Sequence, residues 1–157
     1  MGEPIVKPKI GLLLGDPSGI GPEIAAKLLS FPETSSLAEL LVLGDQRLLP
    51  PTLHGVPILD WRLSHPSEYP LATASAVSGA YVLGVLKFAA EVIQRKEIDA
   101  LVYAPLNKAA MKLAGMHEED EMHFLANQWA TPVTCRKSTS AMDSAPPASP
   151  RMFRSTR

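Results

Sequence analysis

Three short stretches of this chain carry residue types that do chemistry. Residues 15–23 read Gly-Asp-Pro-Ser-Gly-Ile-Gly-Pro-Glu. Glycines let the backbone take positive φ and come close to a neighbour. A helix opening just after them would aim its free N–H groups at an anion. Asp16, Gly19 and Gly21 are therefore the anion-loop candidates. The spacing does not match Gly-x-Gly-x-x-Gly, and no Gly-Lys-Ser/Thr closes it, so it is neither a dinucleotide fingerprint nor a P-loop. Two readings stand: a tight turn that packs a helix on a sheet, or a loop that admits an anion or substrate.

The second stretch is Ala104-Pro105-Leu106-Asn107-Lys108. An Asn at the start of a helix accepts a backbone N–H, and a lysine reaches a phosphate or carboxylate as a point charge. The plainer reading is a cap followed by a solvated lysine. The third stretch is His-Glu-Glu-Asp-Glu-Met-His, residues 117–123. Glu119 and His123 stand four apart, so on a helix they share a face and could bind a metal. His117 and His123, six apart, do not share one. The competing reading is that the acids favour a helix N-terminus through the macrodipole. His54 and His65 have no partners in the pattern and receive no role.

These residues need elements to position them. Residues 9–14, 39–43 and 99–104 read as buried strands, and 131–134 as the start of another. Helices are expected at 22–30, with Pro22 in its first turn, and at 108–114 and 119–129. Asp45 caps a short helix, and residues 50–70, rich in proline, read as irregular. The longest helix spans 75–96, where Val77, Tyr81, Gly84, Val85, Phe88 and Val92 form one stripe. Leu83, Leu86, Ala90 and Ile93 widen it, so this helix is expected to be buried on more than one side. Alternating strands and helices imply an α/β fold with a mostly parallel sheet covered on both faces. Ligands in such folds bind beyond the carboxyl ends of strands, where residues 15–23 and 104–108 fall.

Composition sets the outer bounds. The 157 residues carry a net charge of −1 from 15 basic and 16 acidic side chains. That near-neutrality argues against a nucleic-acid or membrane-surface protein. No uninterrupted apolar run has the length of a membrane span. The N-terminus has no secretory pattern, Val6 stands where a myristoylation signal needs Ser or Thr, and the lone Cys135 allows no internal disulfide. A cytoplasmic location is the expectation. The charge is uneven: residues 1–134 hold 10 basic and 15 acidic side chains, net −5, and residues 135–157 hold five basic and one acidic, net +4.

With residues 15–23 and the run Ala-Pro-Leu-Asn-Lys-Ala-Ala-Met-Lys-Leu-Ala-Gly at 104–115, the chain resembles the 4-hydroxythreonine-4-phosphate dehydrogenase family of vitamin B6 biosynthesis. The resemblance covers about residues 8–134, the N-terminal part of a family member. It implies a three-layer αβα, isocitrate/isopropylmalate dehydrogenase-like fold, here incomplete, and a homodimer with its cleft near the dimer interface. It implies NAD(P)-dependent oxidation of a phosphorylated hydroxy acid followed by decarboxylation. It also implies a divalent metal held by histidines that lie beyond this stretch, as does the nucleotide site. No residue of this chain is thereby assigned to the metal or to NAD(P).

Asn107 and Lys108 are the substrate-contact candidates from their types and position, and the resemblance adds the turn at 121–123. There the family has Gly-His-Thr-Glu-Phe, and this chain has Asp120-Glu121-Met122-His123-Phe124. Glu121 stands at the His position and Met122 at the Thr position, with His123 the nearest substitute. An ionised carboxylate only accepts hydrogen bonds, and a thioether is a weak acceptor. The expectation is a divergent paralogue, for which another phosphorylated hydroxy acid such as a phosphothreonate is the alternative substrate. Residues 135–157, with five Ser and three Pro, have a disordered composition. They are expected to be unrelated to the fold: one reading is a functional basic tail, and the favoured one is a changed reading frame or a gene-model error. An incomplete chain is expected to be inactive alone. It would otherwise serve as a phosphate-binding module, or as one that dimerises with itself or a full-length paralogue.

Overall fold

The computed structural model describes residues 6–53 and 55–128. His54, the expected strand at 131–134, Cys135 and the basic segment 135–157 lie outside the described residues.

Four parallel strands form the sheet: β1 (Lys9–Leu13), β2 (Glu39–Gly44), β3 (Ile58–Asp60) and β4 (Ala100–Tyr103), in the order β3-β2-β1-β4. β1 is central, and its run Leu12-Leu13-Leu14 is buried throughout. Successive side chains of a strand point to opposite faces, so an unbroken apolar run requires cover on both. Leu12, Leu14 and Val42 pack with Ala25 of α1 (Gly21–Leu29) on one face. Leu13 and Leu43 pack under α3 (Ala76–Gln94) on the other. α2 (Pro32–Leu37) follows α1, while α4 (Lys108–Leu113) and α5 (Glu121–Gln128) pack on α3. The result is the three-layer αβα arrangement expected.

The chain is wound both ways from the centre. β1 steps to β2 through α1 and α2 on one face, and β3 crosses to β4 through α3 on the other. The strand order therefore reverses between β1 and β4. The crevice at their carboxyl ends is a topological switch point, the usual ligand position in such sheets.

Two elements were not expected. β3 lies inside the proline-rich stretch; three residues are too few for an alternation to show, and only the pairing of Ile58 with Val42 and Leu59 with Leu43 defines it. α2 opens at Pro32, within the Phe31-Pro32 pair that reads as a stop to α1. A proline at the first helical position starts a helix as readily as it ends one.

α3 has the length and hydropathy of a membrane span. It is a core helix: Tyr81, Val82, Val85, Leu86, Ala89 and Val92 are fully buried. Ser75 caps it, accepting the N–H of Ser78. Gly79 lets α4 approach, because a Cβ there would overlap the carbonyl of Ala110. Tyr81 reaches the end of β2, where its Oη accepts the Asp45 N–H at 3.0 Å. Burial pushes the Tyr81 phenol up, and it stays neutral.

Asp45 ties the carboxyl ends of β2 and β3 together. Its carboxylate accepts from the Arg47 N–H at 2.9 Å and from Nη2 of the same arginine at 2.6 Å. Arg62 lies 4.0 Å from Asp45 and pairs with Asp60 at 2.6 Å. Burial acts to raise the Asp45 carboxyl, but the Arg47 hydrogen bonds and the charges of Arg47 and Arg62 outweigh it and hold it below the usual carboxylate range.

Two outcomes follow from this packing. Leu86→Ala should cost about 2–5 kcal/mol through the cavity it opens. Leu37→Ala, at a side chain 74% exposed, should change stability by less than about 0.5 kcal/mol; urea unfolding of both variants measures the contrast. Asp45→Asn should destabilise by about 1–3 kcal/mol at pH 7, because hydrogen bonds to a charged acceptor are lost. A depressed carboxyl contributes stability that is present above its unfolded pKa and lost as pH falls through its folded one. The gap between wild type and Asp45→Asn should therefore close below about pH 4, as measured by unfolding across pH 2–7.

Candidate functional site at the switch point

The loop after β1 is built around its own backbone. Gly15 has φ +81°, and a Cβ there would lie 2.6 Å from the Pro105 carbonyl oxygen. That close approach lets the Asp16 N–H donate to the same oxygen at 3.0 Å, joining the loop after β1 to the loop after β4. The Asp16 carboxylate is buried and accepts the Ser18 N–H at 2.9 Å, and the Gly19 N–H donates to the Asp16 carbonyl at 3.1 Å. Gly21 opens α1 against the end of β1, where a Cβ would meet the Leu14 carbonyl oxygen at 2.5 Å. Of the three anion-loop candidates, Asp16 and Gly21 are buried in these contacts and Gly19 is exposed. Gly15 and Gly21 thus serve the chain's own packing, while Gly19 meets only Asp16 and faces solvent.

The loop after β4 leads into α4. Asn107 caps that helix, its Oδ1 accepting the Ala110 N–H at 3.1 Å. The cap and the contact of α4 with Gly79 together set the position of Lys108. This side chain is 57% exposed, and its Nζ lies 3.8 Å from Oε2 of Glu121, whose own side chain is 14% exposed.

α5 begins beside them because Asp120 caps it. The buried Asp120 accepts the N–H of Met122 at 3.0 Å and of His123 at 2.9 Å. Its Oδ1 is also 2.8 Å from His123 Nδ1. The His123 imidazole is 63% exposed. Met122 is engaged at its sulfur, which accepts from Tyr103 Oη at 3.3 Å. The fold thus brings Lys108 to Glu121 and Tyr103 to Met122, and holds His123 on Asp120. Sequence reasoning missed Tyr103 and Asp120. Tyr103 reads only as a strand residue, whereas Asp120 reads as one of a run of helix-starting acids although its type and place suit an N-cap.

Among the described residues, no group of three or more His, Cys, Asp or Glu is placed to hold a metal ion. The residues present do not fit that group. A cavity lined by Lys7, Lys9, Glu39 and Leu59 opens at the amino ends of the strands, the edge opposite these loops.

With this geometry in place, the chain can be compared with known proteins. Residues 24–143 match the family described as pyridoxal phosphate biosynthetic protein PdxA. A 4-hydroxythreonine-4-phosphate dehydrogenase of Synechococcus sp. (strain JA-2-3B'a(2-13)) is 34% identical over 140 residues, covering 78% of this chain and 40% of its own length. A protein of Symbiobacterium thermophilum, provisionally named D-threonate 4-phosphate dehydrogenase, is 30% identical over 130 residues, covering 69% of this chain and 39% of its own. The crystal structure of a 4-hydroxythreonine-4-phosphate dehydrogenase from Burkholderia phymatum superposes with a TM-score of 0.69 at 26% identity, over 78% of this chain and 44% of that one. The chain spans less than half the length of these relatives. Its fold is the isocitrate/isopropylmalate dehydrogenase-like one that such relatives have. By profile, sequence and fold together, the chain belongs to the PdxA family of pyridoxal phosphate biosynthetic proteins.

Proposed function

We propose that this chain supplies the N-terminal part of an NAD(P)-dependent dehydrogenase that oxidises a phosphorylated hydroxy acid and then releases carbon dioxide from the resulting β-keto acid. The observation that carries this reading is the contact between the family's two motif loops at the switch point, through the Asp16 N–H and the Pro105 carbonyl. There Asn107 and the start of α4 present Lys108 as a cation toward an anionic substrate. Glu121, Met122 and His123 complete the substrate-facing edge. No step is assigned to the divalent metal or to NAD(P), whose ligands the resemblance places in the portion of the fold this chain does not span. The chain is accordingly inactive by itself.

A second reading of the substrate is a phosphothreonate. Glu121 and Met122, in place of the family's His-Thr pair, favour it, as does the name of the Symbiobacterium relative. Association with a second copy or with a full-length paralogue is supported by an apolar groove between the sheet and α1/α2. Leu12, Leu28, Phe31, Leu37 and Val102 line it, and Val102 is 48% exposed on the edge strand β4. The setting for such an enzyme is the cytoplasm.

In a spectrophotometric assay with 4-hydroxythreonine 4-phosphate, NAD+ and a divalent cation, the purified chain should form no NADH. NADH formation would show that the missing portion is dispensable. Titration with inorganic phosphate, followed by amide NMR, should shift the signals of residues 106–109 and 119–123, and Lys108→Ala should abolish the shifts. Wild-type spectra unmoved at both loops would sink the assignment of this edge to substrate.

A further inference from the structure

The described sheet ends at β3 on one side and at β4 on the other. β3 has three residues. β4 is longer, and its backbone groups on the side away from β1 form the kind of edge that takes a further strand. Val102 is 48% exposed there.

The chain itself returns to this edge. α3 runs from the carboxyl end of β3 to the amino end of β4. α5 packs along α3, and its last residue, Gln128, accepts at its carbonyl from Nε2 of Gln94, the last residue of α3, at 3.2 Å. α5 therefore ends at the amino edge of the sheet, where a parallel strand has to start. Trp129 and Ala130 then lead to Thr131-Pro132-Val133-Thr134-Cys135, a helix-to-strand connection of ordinary length. Handedness fixes the direction, because crossovers between parallel strands share one hand. α3 carries the chain from β3 to β4 on one face. α4 and α5 lie on that same face, with Met111, Phe124 and Leu125 in the cluster around α3. A strand that follows α5 keeps the hand only by moving in the same direction, past β4.

We propose that residues 131–135 form a further parallel strand on the free edge of β4, so that the chain closes this edge on itself. Thr and Val favour strands. Pro132 sets the orientation: it has no N–H, so it fits an outermost strand with its nitrogen turned to solvent. N–H groups alternate sides along a strand, so that of Val133 faces β4 and that of Thr134 faces away. The α1/α2 groove lies on the face of the sheet and stays open to association. The pairing holds whatever the substrate is.

The test uses the full 157-residue chain, whose lone cysteine is Cys135. A nitroxide on Cys135 should broaden amide signals in the order β4, β1, β2, β3, as distance grows by about 4.8 Å per strand. Mixing spin-labelled chain with isotopically enriched, unlabelled chain should give no such gradient. A gradient seen only in the mixture makes a second copy the occupant and overturns the proposal, as does no gradient in either sample. Amide hydrogen exchange supplies a second readout. Val133→Pro removes a donor aimed at β4 and should speed exchange at residues 100–103 about three- to tenfold, the effect of one ladder hydrogen bond. Thr134→Pro removes an outward N–H and should leave that exchange unchanged. Equal effects of the two substitutions, or none from Val133→Pro, overturn the proposal. The proposed function would still stand, since neither experiment involves a ligand.

Discussion

Helix α3 has to be buried, and the arrangement of the candidate site follows from where it goes. Its apolar surface is too broad for one contact: Leu13 and Leu43 of the sheet meet it from one side, and α4 and α5 from the other. Each contact uses a different side chain, or the lack of one. Gly79 admits the α4 backbone, Gly84 admits the Trp61 ring, and Tyr81 delivers a hydroxyl to the Asp45 N–H. The same helix thus seats the carboxyl end of β2 and the start of α4. Lys108 stands where it does because Asn107 caps a helix that Gly79 has already placed.

Much of this could be read from residue order, and the limits were physical. β1 and α3 were legible because burial on two sides demands mostly apolar segments, Leu12 to Leu14 in the strand and a helix with only a few polar residues. Asn107 was legible as a cap because a cap is a local interaction. β3 was hidden because its identity lies in pairing with β2 and not in its own three residues. The contact of Lys108 with Glu121 was hidden for a related reason. It closes across two helices and a turn, and its distance depends on how α4 and α5 sit on α3. The bond from Tyr103 to Met122 has the same origin. Chemistry that depends on one element could be anticipated, and chemistry that depends on two elements meeting could not.

The loop at residues 15–23 shows what a glycine-rich motif does for the packing around it. Gly15 and Gly21 stand at points where any Cβ would collide with a carbonyl oxygen of a neighbouring segment. The collision partners are Pro105 and Leu14, so the glycines join β1, α1 and the loop after β4 into one unit. Asp16 contributes its backbone N–H to that union and turns its carboxylate inward to Ser18. What such a loop demands of these positions is geometric. It thereby fixes the position of the loop after β4, from which α4 and Lys108 follow.

The exposed side of β4 and the edge that carries Lys108 and Glu121 are two aspects of one arrangement. β4 is an edge strand of the described sheet, with Val102 uncovered on the α1/α2 side. Its carboxyl end feeds the loop that carries Asn107 and Lys108. An apolar strand face exposed to water is stabilised by whatever polypeptide covers it, and any such cover would sit within a few residues of the site. Packing against β4 would restrict Tyr103 and, through its bond to Met122 Sδ, the first turn of α5. Glu121 lies in that turn. Completing the sheet and ordering the Lys108–Glu121 pair would then be coupled events.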